Sequence, residues 1–548
     1  MQTRRLGLVA VRGNRWSVLL LVLILLLALG CRLYRLIPLE KGLLYAQDAD
    51  EGVYATTAQL ALQGYLPYRD FFTPLPPVAI YLFAIILRIF YHPWGDPTGL
   101  MALRYASVAS GLITVLLTYL TGRMIGGRWS GLLAAAIVAF DGIVVAQDRR
   151  AMLEAPVNMF SLLAILCYLQ AMRRDQAHQE PLEEKLHLWV LGSGFFCALA
   201  LLTKGTAIVP PLVIATAILV RRRWRAGLWF VIALAGTYVL AALVFLRACP
   251  DQYIKQMYLF HLLRPWDGTA HPLARLLEIW NYPWSWTTVR FALAGALLAI
   301  LMGKKLRHRT LFWLVLAWAA VMLLLLLGSR TYWATYFSQL AVPLSVLGGL
   351  LWSDELDHTA PSLLDRLRLA PPRYGLLQLG AVAALLLPGR SHVALQYNAT
   401  RAALEQTKPV YVEISSHIKQ YLPPGAPILA FETNYTFLSS HPPAGAQEGS
   451  FFIDSYGEML YRSLGIPERS IGSLLRAWPH QQRLGSREVF QRQPAQSHVL
   501  TVFSRARYAV LDGRALKQLT GDTSAHIRNH SNVLTAAYDA ELRARPPE

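Results

Sequence analysis

Cysteine is scarce in this chain, with four among 548 residues. Cys31, Cys167 and Cys197 lie in or beside apolar stretches and Cys249 stands alone in a loop, so no disulfide framework or cysteine metal site is readable. Charge is sparse too, at 16% of residues, and negative charge is the scarcer sign: 33 Asp and Glu against 52 Lys and Arg, a net +19. That excess does not point to nucleic acid. The Lys and Arg gather in short stretches between apolar blocks, which is the topology signal of a membrane protein. No internal repeat of the kind that builds secondary transporters is present. The first apolar block, at 18–29, is followed by Arg32 and Arg35, lacks a small-residue cleavage pattern and precedes many further blocks. It is therefore expected to remain as a span rather than leave as a signal peptide.

What the chain has in abundance is apolar length. Hydrophobic residues make up 54%, with a mean hydropathy of +0.35, above the roughly 45–50% usual for soluble proteins. The excess sits in blocks such as 18–29, 311–327 and 381–387. Spanning helices are expected near 16–36, 100–122, 129–147, 156–172, 187–203, 206–220, 226–246, 287–302, 310–328, 334–352 and 375–390, about eleven in all. Arg4, Arg5, Arg12 and Arg15 precede the first. Arg123 and Arg128 follow the second, Arg173 and Arg174 the fourth, and Arg221, Arg222, Arg223 and Arg225 the sixth. Lys304, Lys305, Arg307 and Arg309 follow the eighth, and Arg366, Arg368 and Arg373 the tenth. All then fall on the cytoplasmic side, with the N-terminus.

This assignment requires 76–91 (PPVAIYLFAIILRIFY) to be an interfacial helix opened by Pro76 and Pro77. A true span there, with a weaker charge bias, is the open alternative. The expected architecture is an α-helical polytopic membrane domain over 1–391, with a first outward loop at 37–99, and a small extracytoplasmic α/β domain over 392–548. A second outward region runs from 247 to 286. Within the tail, 427–432 and 506–512 read as strands and 410–422 as a helix. The compact loops favour a bacterial or archaeal plasma membrane, so the sequons at Asn398 and Asn434 carry little weight.

The first outward loop is the richest in chemistry: QDADEGVY at 47–54, then GYLPYRD at 64–70 and PLPP at 74–77. Asp48, Asp50 and Glu51 stand at the head of a short helix, where capping is one reading. One acid suffices for that. The other reading is a carboxylate beside lipid serving as a general base. A second acidic point, DRRAMLE at 148–154, holds Asp148, readable as an ion pair with Arg149 or Arg150, and Glu154, which opens an apolar span where acids are costly. Asp141 lies deeper, as a buried partner or a helix-packing hydrogen bonder. Lys204 sits in the turn of ALALLTKGTA, either an anion site or a snorkelling cation. His261 and Arg264 follow the seventh span, and Arg330 to Trp333 the ninth. Cations and carboxylates on one face suit a lipid-tailed phosphate substrate; contact with lipid phosphates is the blander reading.

These motifs resemble the membrane glycosyltransferases of the GT-C fold, and within them glycosyltransferase family 39, the protein O-mannosyltransferase and aminoarabinose lipid A transferase branch. The resemblance rests on Asp50-Glu51 with Tyr54, the Pro67-Tyr68-Arg69-Asp70 stretch, Pro76-Pro77, RAMLE at 150–154, the Leu-Thr-Lys-Gly turn at 202–205 and YFSQLAVP at 336–343, and covers roughly 16–352. It implies Asp50 as the base that deprotonates an acceptor, Glu51 as its orienting partner, and Glu154 at the place of an acid that is commonly Asp. Lys204, Arg264, Arg149 and Arg330 would hold the phosphate of a polyprenyl-phosphate sugar, the donor substrate. Asp48, Tyr54, Tyr68, Arg69, Asp70, His261 and Tyr336 would contact substrate.

The implied reaction is a single displacement with inversion, onto a lipid, glycan or protein acceptor. A divalent metal is left open, no other cofactor is implied and no nucleic acid is involved. The lipid A branch has Lys-Pro before the interfacial helix where this chain has Thr73-Pro74, which argues against aminoarabinose specificity. A polytopic transporter or lipid flippase is the competing function. It should carry polar residues or helix breaks in mid-span. A scaffold that only displays the tail would leave the acids unused.

Overall fold

The computed structural model describes residues 2–37, 42, 48–90, 97–177, 183–268, 271–302, 308–353, 390–405, 409–445, 451–481, 506 and 508–510. The expected spans from 16–36 to 334–352 are all helices. By length and composition six can cross a membrane: Arg15–Leu33, Thr98–Gly126, Glu154–Arg173, Trp224–Ala248, Arg309–Gly328 and Ala334–Trp352. Two more are bent pairs, Arg128–Ala139 with Gly142–Asp148 at 65° and Pro272–Asn281 with Trp286–Met302 at 97°. Leu188–Thr203 and Gly205–Val220 are shorter apolar helices. The Pro77–Phe90 helix has 14 residues, about 21 Å at 1.5 Å per residue, against roughly 30 Å of hydrocarbon. The expected span at 375–390 lies almost wholly outside the described residues.

The chain divides into two compact units. The first comprises Met1–Pro38, Arg104–Val239 and His271–Gln406. Its helices approach closely where side chains are small. A Cβ on Gly349 would meet the Ser130 carbonyl oxygen at 2.4 Å, and one on Gly131 would meet that of Tyr119 at 2.5 Å. Small residues allow such backbone contact where lipid offers no hydrophobic drive to associate.

Two buried carboxylates pin the bent pair. Asp141 caps Gly142–Asp148 by accepting from the Ile143 and Val144 N–H groups, each at 3.2 Å, and it also accepts from Ser285 Oγ at 3.0 Å and Thr288 Oγ1 at 2.5 Å. Helix propagation stops at Phe140, and the donors exposed by the restart are met by this carboxylate. Asp148 pairs with Arg32, not with Arg149 or Arg150 as the sequence suggested: Arg32 Nη2 lies 2.8 Å from its Oδ2, with both side chains buried. Neighbours in sequence diverge around a helix, so the partner comes from the first span. Arg32 Nη1 also donates to the carbonyls of Ala28 and Ala139.

The second unit gathers Leu39–Leu103, Leu240–Ala270 and Thr407–Glu548. The strands expected at 427–432 and 506–512 appear as Ile428–Ala430 and Tyr508–Val510, paired in parallel. Gln256, on a π-helical turn at Lys255–Leu259, joins the first loop to the 240–270 segment. Its Nε2 donates to the Tyr68 carbonyl at 2.8 Å and its Oε1 accepts from the Thr73 N–H at 2.9 Å. Phe72, Phe260 and Tyr461 pack ring against ring and tie all three segments.

Removing one member of a buried ion pair strands the other. Arg32→Met is expected to cost about 3–5 kcal/mol, and Arg32→Met combined with Asp148→Leu to recover most of it. Thermal unfolding of the solubilised protein measures both; equal losses would mean the two charges are not coupled.

Candidate functional site

In the second unit, the Ala49–Leu62 helix begins with a capping box. Asp48 accepts from the Asp50 N–H at 3.3 Å, and Glu51 Oε2 accepts from the Asp48 N–H at 3.0 Å. Reciprocal capping of this kind satisfies donors at both ends of the first turn. Glu51 is fully buried in this role. Asp50 is the exposed member of the trio, and Tyr54, one turn on, donates its hydroxyl to Asp50 Oδ2 at 3.3 Å. The surplus of acids is thus resolved: two close the helix and one faces outward.

The tail supports this turn. Asn434 Nδ2 donates to the Asp48 carbonyl at 2.9 Å, and a Cβ on Gly52 would lie 2.3 Å from the Asn434 backbone nitrogen. Asn434, the first residue of a sequon, is buried. The sequence marked it only as a sequon, not as a partner of the Asp48 turn.

The other second-unit candidates divide between surface and interior. Tyr68, at a φ of +70°, is buried between Phe245 and Tyr253, and its hydroxyl donates to the Leu75 carbonyl at 2.5 Å. Arg69 and Asp70 form an exposed forked pair at 2.7 and 2.9 Å. His261 Nε2 lies 3.1 Å from the Pro74 carbonyl. The Arg264 guanidinium lies over the rings of Phe260 and Tyr456, 5.8 Å from each centroid. Burial raises the Asp454 carboxyl, opposed by the Gly457 N–H and by the charge of Arg264, so Arg264 has an acidic neighbour that the sequence reading missed. Thr73, in place of the lysine of the lipid A branch, is buried.

In the first unit, Glu154 and Lys204 meet. Lys204 Nζ lies 2.5 Å from Glu154 Oε1 and 4.5 Å from the centroid of the Tyr336 ring. Glu154 is 1% exposed and Lys204 15%, and among the described residues Glu154 Oε2 accepts no hydrogen bond. Lys204 is extended, at φ −155° and ψ 132°, between the Glu183–Thr203 helix and the short turn at Gly205–Ile208. The break turns its side chain toward Glu154 at the head of the Glu154–Ala177 helix. Gln339 Nε2 donates to Thr206 Oγ1 at 2.9 Å, fixing the same turn to Phe337–Gly349.

Arg149 is wholly buried and donates to the Cys31 carbonyl at 3.0 Å, a structural position. Partial burial draws the Arg330 guanidinium below its ordinary value. Among the described residues no three His, Cys, Asp or Glu side chains converge as a metal-ligand set.

Residues 87–262 match the family model of dolichyl-phosphate-mannose-protein mannosyltransferases. Among solved structures, ArnT from Cupriavidus metallidurans bound to undecaprenyl phosphate aligns with a TM-score of 0.53 and 18% identity over 79% of this chain and 87% of that one. The apo oligosaccharyltransferase of Archaeoglobus fulgidus aligns at 0.54 and 13% over 78% and 64%. The archaeal oligosaccharyltransferase AglB from Archaeoglobus fulgidus, in complex with an inhibitory peptide and a dolichol-phosphate, aligns at 0.51 and 12% over 84% and 69%. No curated protein matches the sequence. The architecture is the GT-C fold. Within that fold, the segment 87–262 is similar to the dolichyl-phosphate-mannose-protein mannosyltransferases, in keeping with the resemblance to glycosyltransferase family 39.

Two outcomes follow from the second-unit geometry. Asp48→Ala is expected to cost roughly 0.5–2 kcal/mol and to speed amide exchange in the first turn of Ala49–Leu62; unchanged exchange would remove the capping box. The hydrogen bond from Arg69, opposed by partial burial and aided by the Leu66 N–H, holds Asp70 below its ordinary value. Its stabilisation is complete above the unfolded carboxylate value of about 3.9 and is lost as pH falls through the lower folded value. The Tm difference between wild type and Asp70→Asn should therefore shrink on acidification, and a constant difference would contradict the pairing. Arg69 is 54% exposed, so the effect is small.

Proposed function

We propose that this protein is an inverting glycosyltransferase that moves a sugar from a polyprenyl-phosphate donor to an acceptor on the outer face of the membrane. The observation that carries the reading is the exposed Asp50 carboxylate, held by Tyr54 on a helix whose capping is met by Asp48 and Glu51. Asp50 accepts the proton of an acceptor hydroxyl or amine as the acceptor heteroatom attacks the anomeric carbon. The bond between that carbon and the phosphate oxygen breaks, its electron pair leaves with the polyprenyl phosphate, and the configuration inverts.

Charge grows on the departing phosphate, and cations stabilise it. Lys204, Arg264 and Arg330 take that role. An ammonium carries three N–H donors, so a phosphate oxygen can share Lys204 with Glu154. Glu154 thereby orients Lys204 rather than touching the sugar. Arg149 is set aside, since it is wholly buried and held at the Cys31 carbonyl.

Undecaprenyl phosphate in the Cupriavidus structure and dolichol-phosphate in the archaeal one support a lipid-phosphate donor here. The outer-face assignment rests on the basic loops, and is supported by the second unit, which combines most of the three segments expected outside. The membrane domain would span 1–391, and 392–548 would lie outside the cell. The transporter reading gains little from the bent helices. At the break in Arg128–Asp148 the restarted N-terminus is occupied by the chain's own Asp141, where a transporter would offer it to a substrate.

Transfer from a radiolabelled polyprenyl-phosphate sugar to an extract of cell-envelope acceptors tests the proposal. Asp50→Asn is expected to lose about 10²–10⁴-fold in rate with Tm unchanged. Wild-type transfer by Asp50→Asn would remove Asp50 as the base. Lys204→Met is expected to raise the KM for the donor, and an unchanged KM would remove Lys204 from the phosphate site.

A further inference from the structure

At the end of the Val209–Val220 helix remote from Lys204, a cleft of about 260 Å³ opens within the first unit. Leu212, Thr216 and Val220 form one wall, Met172 a second, and Trp313 and Ala317 of the Arg309–Gly328 helix a third. The Thr216 hydroxyl donates to the Leu212 carbonyl at 2.8 Å, so even this residue offers the cleft an apolar side. Arg221 and Thr310 close the end. The volume falls just below the roughly 300–1,000 Å³ of drug-sized pockets, and its narrow apolar form suits the end of one hydrocarbon chain.

We infer that this cleft binds one anionic phospholipid, with an acyl chain between the Val209–Val220 and Arg309–Gly328 helices and the headgroup phosphate on Arg221. Charge complementarity selects the occupant. Arg221 is followed by Arg222, Arg223 and Arg225, and Arg309 lies over the Trp313 ring at 5.9 Å. Trp313 and Trp224 are both exposed, as tryptophans are at the level of lipid headgroups. A zwitterionic lipid brings no net charge to the basic end of the cleft at Arg221, whereas basic pockets between spanning helices hold anionic headgroups.

This phosphate site differs from the one proposed at Lys204. The two lie at opposite ends of a helix of 12 residues, about 18 Å long, so one phosphate does not serve both.

The test uses the full chain in nanodiscs of mixed phosphatidylcholine and phosphatidylglycerol, followed by native mass spectrometry of the lipid it retains. Wild type is expected to keep one phosphatidylglycerol per chain in preference to phosphatidylcholine. Arg221→Gln, at the end of its helix, should weaken that preference by roughly fivefold. Ala217→Phe, which fills the cleft, should abolish it; if that variant unfolds, Arg221→Gln carries the test alone. Equal retention of the two lipids by wild type would overturn the inference, as would unchanged preference in Arg221→Gln. Displacement of the retained phosphatidylglycerol, one for one, by undecaprenyl phosphate would also overturn it, because the cleft would then belong to the donor's tail.

Discussion

Asp141 carries the break in a spanning segment, and the arrangement of the first unit depends on it. Inside a bilayer, backbone donors freed by a bend have no water to turn to. One carboxylate takes up the N–H groups of Ile143 and Val144 and, through Ser285 and Thr288, binds the bend to the corner of the second broken pair. The restarted helix delivers Asp148 to Arg32. A Cβ on Gly111 would collide with the Asp148 carboxylate, so that pair needs a glycine opposite it. Six residues after Asp148, Glu154 opens the next span and meets Lys204. Asp148 and Glu154 are therefore each paired with a cation, and these pairs hold the helix ends in place.

The second unit uses weaker but more numerous ties. Gln256 binds the first loop through two backbone groups, His261 approaches the Pro74 carbonyl, and Asn434 holds the turn bearing Asp50. A base is effective only when positioned. The tail, which carries no chemistry of its own in the proposed mechanism, supplies that positioning through Asn434 and the close approach at Gly52.

The helices were legible because apolar length is a local property, and the sequence from 16 to 352 states it repeatedly. The two tail strands were legible from their β-branched and apolar runs, and their pairing over Ile428–Ala430 and Tyr508–Val510 agrees. The candidate site was legible by residue but not by partner. Asp48, Asp50 and Glu51 stood out together, yet only the capping geometry separates the outward acid from the two that close the helix. Glu154 and Lys204 were each singled out, while their contact across 50 residues was not. Arg32 read as a flanking charge, because its partner lies 116 residues away. Such pairings are set by helix packing, which composition and period do not encode.

The central claim is a displacement at an anomeric carbon assisted by a single exposed base. The anomeric configuration of the transferred sugar, compared with that of the donor by nuclear magnetic resonance of the isolated product, tests it most directly. One carboxylate acting on the acceptor, with phosphate leaving from the opposite face, predicts complete inversion. Retention of configuration would require a covalent sugar intermediate on the protein and would contradict the account.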